Sequence, residues 1–291
     1  MSSLSILRVL LRELTTRERL PRQPEPDLVM EDPDKVAAYT RAGREDGVMA
    51  PVYLFHCAQI SDLIRPGDTA LDLACGPATQ LAQVARLNPE VRFIGVDLSE
   101  EMLARARPHV RELGLANVEL RLGSITDLSA FGDASVDAVF SSMALHHLPD
   151  QADLRRTFEE AARVLKPDGA VYLVDFGRLR SERSIQYFAY QYADRQPELF
   201  TLDYLYSLRA AFSLADFRAA SQALTGRATL YSTFLAPFMM ALKSRSRRPA
   251  DPRLEARFAR IRSELPPHHQ VDLRNLVTFF RLGGLRSAYL S

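Results

Sequence analysis

The stretch on which the reading turns is Leu71-Asp72-Leu73-Ala74-Cys75-Gly76-Pro77-Ala78-Thr79-Gln80. Thr69 to Cys75 is a short, mostly apolar run of the kind a strand buried on both faces needs. Gly76-Pro77 breaks that run, and Leu81, Val84, Ala85 and Leu87 resume it at helical spacing, so the segment is expected to go strand, turn, helix. Such a turn sets backbone N–H groups and the positive end of a helix at the carboxyl edge of a sheet, where the polar parts of a nucleotide-like ligand bind.

Working outward, Val91 to Leu98 is expected to form a second strand closing on Asp97, and Ser99 to open a helix through Glu100-Glu101-Met102. Val118 to Ile125 alternates as a third strand and Val136 to Ser142 is a fourth. Residues 151 to 165 form an amphipathic helix that stops before the turn signal Lys166-Pro167-Asp168-Gly169, and Ala170 to Phe176 is a fifth strand. Ser213-Leu214-Ala215-Asp216 has the form of a capping box with Asp in the place of Glu or Gln. Thr229 to Leu235 and Phe238 to Lys243 are two strands joined around Pro237, read as the antiparallel edge of the sheet. Strands alternating with helices imply right-handed crossovers. The expected fold class is α/β, a doubly wound, seven-stranded, mostly parallel, Rossmann-like sheet with helical extensions at both ends.

Residues 1–30 read as a helix and linker, 31–65 as a helical cap, 66–243 as the main domain and 244–291 as a helical extension. In the first of these, Leu4, Leu7, Leu11 and Leu14 share a helical face among Arg8, Arg12, Arg17 and Arg19, and Pro21 to Pro26 is the linker. Inside the main domain, residues 177–212 are an aromatic-rich insertion expected to act as a lid. Ser244 to Pro249 reads as a solvated polar break, and His268-His269 as a surface pair.

Composition narrows the function classes. The net charge of +1 argues against a nucleic-acid partner, which calls for a clearly basic footprint. No apolar run approaches the roughly 20 residues a membrane span requires. Cys57 and Cys75 are the only cysteines, too few for a disulfide framework or a cysteine-built zinc site, and no metal-ligand set is read. A reduced, cytoplasmic protein with a small-molecule substrate is expected, and a homodimer is left open.

Over roughly residues 60 to 243 the chain resembles the class I S-adenosylmethionine-dependent methyltransferases. Three features carry the resemblance in register: Leu71 to Ala78 as the glycine-rich first motif, Gly95-Val96-Asp97-Leu98-Ser99 as the acidic end of the second strand, and the pair Val139 to Leu148 with Arg163 to Ala170. The resemblance implies S-adenosylmethionine as cofactor. It assigns the ribose diol to Asp97, whose carboxylate can accept two charge-assisted hydrogen bonds. It sets Asp72, Ala74, Cys75, Gly76 and Ala78 along the methionine half, with Ser141 at the end of the fourth strand. Leu98, Met102 and Ile125 would sandwich the adenine, and Ser124 stands where an acid is common. Ala74 and Ala78 replace glycines, which is harmless if the backbone has negative φ there.

Methyl transfer from a sulfonium depends mostly on holding the acceptor in line, with a base required only where a hydroxyl or thiol loses its proton. His146 and His147, after the fourth strand, are the candidates for that base, and Tyr53, His56, Tyr187 and Tyr190 for acceptor binding. Ser141-Ser142-Met143-Ala144 lacks the Asn/Asp-Pro-Pro-aromatic motif of nucleobase amino-methyltransferases and the acidic ligands of catechol-type enzymes. Arsenite methyltransferases share Leu145-His146-His147 but use several cysteines. The expectation is a methyltransferase (EC 2.1.1.-) for a small organic acceptor, apolar or planar. The alternatives are a catalytically silent cofactor-binding subunit, an aminopropyl transferase, for which Asp175 lacks the second acid, and a nicotinamide dehydrogenase, for which only one of three glycines is in place.

Overall fold

The structure, a computed structural model, describes residues 3–17, 20–26, 30–43, 47–249 and 251–290. Arg19 and the side chain of Leu4 fall outside what is described. The apolar run after Asp68 forms the central strand β1 (Thr69–Leu73), with β2 (Arg92–Asp97) and β3 (Val118–Leu122) to one side. To the other lie β4 (Val136–Ser142) and β5 (Leu165–Phe176), then the last pair, β6 (Ala228–Ser232) and β7 (Met239–Ser244). The strand order is β3-β2-β1-β4-β5-β7-β6. β3 through β5 are parallel, and β7 runs antiparallel to both β5 and β6. The edge strand β6 therefore points with the parallel set, and the expected antiparallel edge is a single reversed strand inserted between β5 and β6.

Helices cover both faces, which is why β1, β2 and β4 are buried at nearly every position rather than at alternate ones. One face of the sheet packs Phe93, Phe140, Tyr172 and Val174 against α3 (Ala50–Ser61), α4 (Thr79–Leu87) and α5 (Glu100–Glu112). The other packs Leu71, Leu73, Val139 and Leu173 against α6 (Gln151–Val164) and α9 (Leu214–Ala220). The remaining helices are α1 (Ser3–Thr15), α2 (Pro33–Ala42), α7 (Glu182–Tyr190), α8 (Glu198–Ala210), α10 (Pro252–Glu264) and α11 (Pro267–Leu282). The starts of α5 and α9 follow the side-chain chemistry. Ser99 Oγ accepts the Met102 N–H at 3.1 Å, and Ser213 with Asp216 closes a complete capping box in which the shorter acid serves.

Several local expectations are corrected. The third strand stops at Leu122. The Lys166–Gly169 turn sits inside β5 as a bulge, because Val136 pairs with Leu165 while Ala138 pairs with Ala170. The 244–249 segment is no solvated break: Arg247 pairs with Asp68 at 3.0 Å, and Arg248 with Asp251 at 2.7 Å. His269 is buried, and only His268 of that pair is exposed. The proline-rich linker is a strap, since Arg22 donates to the carbonyls of His146, Leu148, Pro149 and Ala210 and lies over the Phe212 ring.

Candidate active site

The register of the sheet decides where side chains can converge. Leu73 is level with Val96 on β2, and Asp72 with Phe140 on β4, so the carboxyl ends of these three strands open at one place. β1 and β4 also flank the point where strand order reverses, the position at which open α/β sheets bind ligands. A cleft of about 190 Å³ occupies it.

At the tip of β2, Asp97 is only 8% exposed, and its two oxygens accept the Gly76 N–H at 2.7 Å and the Ser99 N–H at 2.9 Å. The carboxylate thus faces the glycine turn across the cleft floor, as expected. Asp72, Ala74, Cys75 and Gly76 line the same floor, and Leu98, Met102, Ser124 and Ile125 one end of it. Leu98 is 46% exposed, an apolar side chain held open at the lip. Nothing lies within 4 Å of where a Gly76 side chain would begin, so backbone can approach a ligand there.

The electrostatics are one-sided. Burial, reinforced by Asp97, pushes the Asp72 carboxyl well above the usual carboxylate range. Burial raises Asp97 as well, against the opposing N–H groups of Ser99 and Gly76. No Lys or Arg lines the cleft among the described residues. Two desolvated carboxyls with no cationic side chain beside them favour a ligand that brings positive charge.

Other expectations need correction. Ala74 and Ala78 both have positive φ, 60° and 59°, so the backbone takes up the left-handed region at both positions, contrary to the expected negative φ. Ala78 is fully buried at the start of α4 and does not line the cleft. Ala74→Gly is expected to raise the unfolding free energy by roughly 0.5 to 1 kcal/mol, relief of strain outweighing added freedom in the unfolded chain. Chemical denaturation checks this, and a loss of stability would show that the Ala74 methyl is needed for packing.

Ser141 is also buried, its hydroxyl donating to the Leu73 carbonyl at 2.8 Å, which ties β4 to β1 instead of facing a ligand. His56 is a core residue: its Nδ1 bonds the Tyr172 hydroxyl at 2.8 Å, and burial drives its pKa down to about 3. Tyr187 packs edge-on against Phe188, and Tyr190 is 48% exposed; neither reaches the cleft. Among the aromatics of 177–212, Phe200 stacks on Tyr204, and Phe188 stacks on Phe238 outside the segment. Tyr53 does line the cleft, joined by Tyr39 from α2.

The histidine pair divides. His147 lines the cleft wall, whereas His146 lies behind it, 2% exposed. Asp175, at the end of β5, accepts from the His146 backbone N–H at 2.6 Å and bonds its ring Nδ1 at 2.8 Å. That pairing puts the proton on Nδ1 and leaves the lone pair on Nε2, an assignment made from the carboxylate partner. His146 Nε2 and His147 Nδ1 are buried without a hydrogen-bond partner, and Glu25, His146 and His147 each bring one ligand atom within 4.8 Å of the others. These three could hold a proton or a cation between them. Sequence reading missed Glu25 because it sits in the proline-rich strap, far along the chain from the histidines and without a local motif.

Burial lifts the Glu25 carboxyl to about 7, against the opposing pull of His146. A carboxyl whose folded pKa exceeds its ordinary 4.5 holds a proton that the unfolded chain gives up, so stability falls as pH rises from 4.5 towards about 7. Glu25→Gln keeps an acceptor for the Ser207 hydroxyl and is expected to flatten that fall. Urea unfolding at pH 5 and pH 8 checks it: the unsubstituted chain should lose stability relative to the variant at the higher pH.

Comparison with known proteins agrees with this geometry. Residues 70–169 match a family model described as a methyltransferase domain. The arsenite methyltransferase of Halobacterium salinarum is 37% identical over 113 residues, which is 38% of this chain and 28% of that protein. A demethylmenaquinone methyltransferase of Bacillus cytotoxicus is 37% identical over 115 residues, 38% of this chain and 46% of that one. The chain therefore spans less than half the length of either relative. Among solved structures, a SAM-dependent methyltransferase from Aquifex aeolicus gives a TM-score of 0.52 at 19% identity, covering 73% of this chain and 97% of that one, a likeness of fold.

Proposed function

We propose that this chain, whose residues 70–169 match a methyltransferase domain and whose sheet has the fold of the class I S-adenosylmethionine-dependent methyltransferases, methylates a small organic acceptor, apolar or planar, held at the open end of the cleft. The observation that carries the reading is the buried Asp72 and Asp97 pair in a cleft lined by no Lys or Arg among the described residues. S-adenosylmethionine is a cation at both its sulfonium and its amino group, and it supplies an electrophilic methyl on a good leaving group. In this reading Asp97 holds the ribose diol beside the Gly76 backbone, Asp72 faces the charged half, and Leu98, Met102 and Ile125 enclose the adenine. Tyr39, Tyr53, Met143 and Leu148 also line the cleft and offer an apolar, aromatic surface to the acceptor, beside the polar Gln80, Ser142 and Asp153. Where the acceptor is a hydroxyl, its proton passes towards His147 and the His146 Nε2 lone pair behind it, with Asp175 holding that ring in place. The two cysteines give no thiolate set for arsenic chemistry, since burial pushes both thiols up.

The test is incubation of a metabolite extract with the protein and cofactor carrying a labelled methyl group. Label in a low-molecular-mass organic product is expected. Label confined to protein or nucleic acid would overturn the acceptor class, and binding of cofactor without any transfer would favour the silent subunit.

A further inference from the structure

A second cavity, of about 130 Å³, lies apart from the cleft and is bordered by α1, α7, α8, α11 and the turn between β6 and β7. Its walls are mostly apolar, with Ile6 and Leu10 of α1, Phe188, Phe238 and Leu276 among the lining, and Asp272 and Asn275 of α11 as its polar edge. α1 also turns its one acidic side chain inward: Glu13 is 2% exposed and accepts the backbone N–H groups of Arg180 and Ser181.

The outward side of the same helix is unusual for a soluble surface. Leu7, Leu11 and Leu14 recur one turn apart and are 52%, 54% and 51% exposed. Arg8 on the helix and Arg17 just after it are exposed alongside them, and no described acidic side chain shares that face. Phe234 and Leu235, on the turn that borders the same cavity, are 40% and 46% exposed. Singly exposed leucines need no explanation, but an apolar stripe continuous with a cavity rim does.

We infer that α1 and the β6–β7 turn seat this chain on an anionic lipid surface. The charge pattern selects that occupant. A stripe flanked, among the described residues, by arginines and no exposed acid suits a bilayer with negative headgroups, where the leucines enter the acyl boundary and the guanidinium groups stay with phosphate. The cavity beside this surface shares no lining residue with the cleft, so the inference does not rest on the acceptor proposal.

Because the sequence contains no tryptophan, Leu11→Trp installs a single fluorescent reporter in the stripe. Blue-shifted emission and co-sedimentation are expected with phosphatidylglycerol vesicles, far less with phosphatidylcholine, and reduced by salt. In the otherwise unsubstituted chain, Leu7→Glu with Leu14→Glu should lower vesicle partitioning by about tenfold or more per leucine. Arg8→Glu with Arg17→Glu, which leaves the stripe intact, should abolish the preference for anionic vesicles. All four sites are exposed, and an unchanged melting temperature would confirm that the fold is retained. The inference is overturned if the unsubstituted chain binds neither vesicle type. It is also overturned if the leucine substitutions instead abolish a concentration-dependent dimer, which would assign the stripe to a second copy of the chain.

Discussion

Asp97→Ala is expected to weaken S-adenosylmethionine binding by about 1.5 to 3 kcal/mol, the range for losing hydrogen bonds to a charged acceptor. This corresponds to roughly a tenfold to 150-fold rise in Kd. The carboxylate does two things at once. It anchors the turn by accepting from Gly76 and Ser99, and its remaining lone pairs are free for a ribose diol. Asp97→Asn separates these effects: the amide oxygen can keep one backbone bond, while the charge is lost. Its affinity should fall between those of the unsubstituted protein and the alanine variant. Because burial raises this carboxyl, affinity should also increase with pH as Asp97 ionises, and that rise should be smaller in Asp97→Asn. Titration calorimetry measures all three. An Asp97→Ala affinity equal to that of the unsubstituted chain would place the ribose elsewhere.

What could be read from the sequence was what local patterning controls. β1, the turn at Gly76 and α4 are contiguous, and a switch from an unbroken apolar run to helical spacing marks their boundaries without tertiary information. Asp97 was legible for a related reason: it ends a strand, and strand ends in a parallel sheet share one edge. The histidines show where this stops. His146 and His147 are adjacent in sequence, yet a short helical turn at Leu145–His147 sends one to the cleft wall and the other into the core against Asp175, a partner that only strand order brings near. The density of aromatics around Tyr187 and Tyr190 points to a binding surface, but it reflects α7 and α8 packing on each other and on the body. The cleft takes Tyr39 from a helix whose sequence looks ordinary. The left-handed φ at Ala74 and Ala78 was hidden by residue type, because alanine carries no signal for a conformation that glycine would advertise.

Asp175→Asn is expected to lower kcat on a hydroxyl acceptor by about a hundredfold to ten-thousandfold, the contribution of an oriented general base. Asp175 is not among the cleft-lining residues; it acts through His146, accepting from that residue's backbone and ring, so it is a positioning residue. An amide at this place can present N–H to the ring and so favour the tautomer with the proton on Nε2, which removes the lone pair facing His147. Cofactor affinity should stay within a few-fold of the unsubstituted value, so the loss should fall on kcat. The pH profile distinguishes this role from simple loss of packing. Burial pulls the His146 pKa down, but the Asp175 carboxylate outweighs it and holds the ring above its ordinary value. A base must be neutral to accept a proton, so activity should fall as pH drops through that raised pKa. Without the carboxylate the acidic limb should move to lower pH even as the plateau falls. Asp175→Glu, which restores the charge, should return the limb towards higher pH if the longer side chain is accommodated. A kcat reduced by less than tenfold in Asp175→Asn, or a reduced kcat with an unmoved limb, would remove His146 from the reaction and leave in-line positioning as the source of the rate.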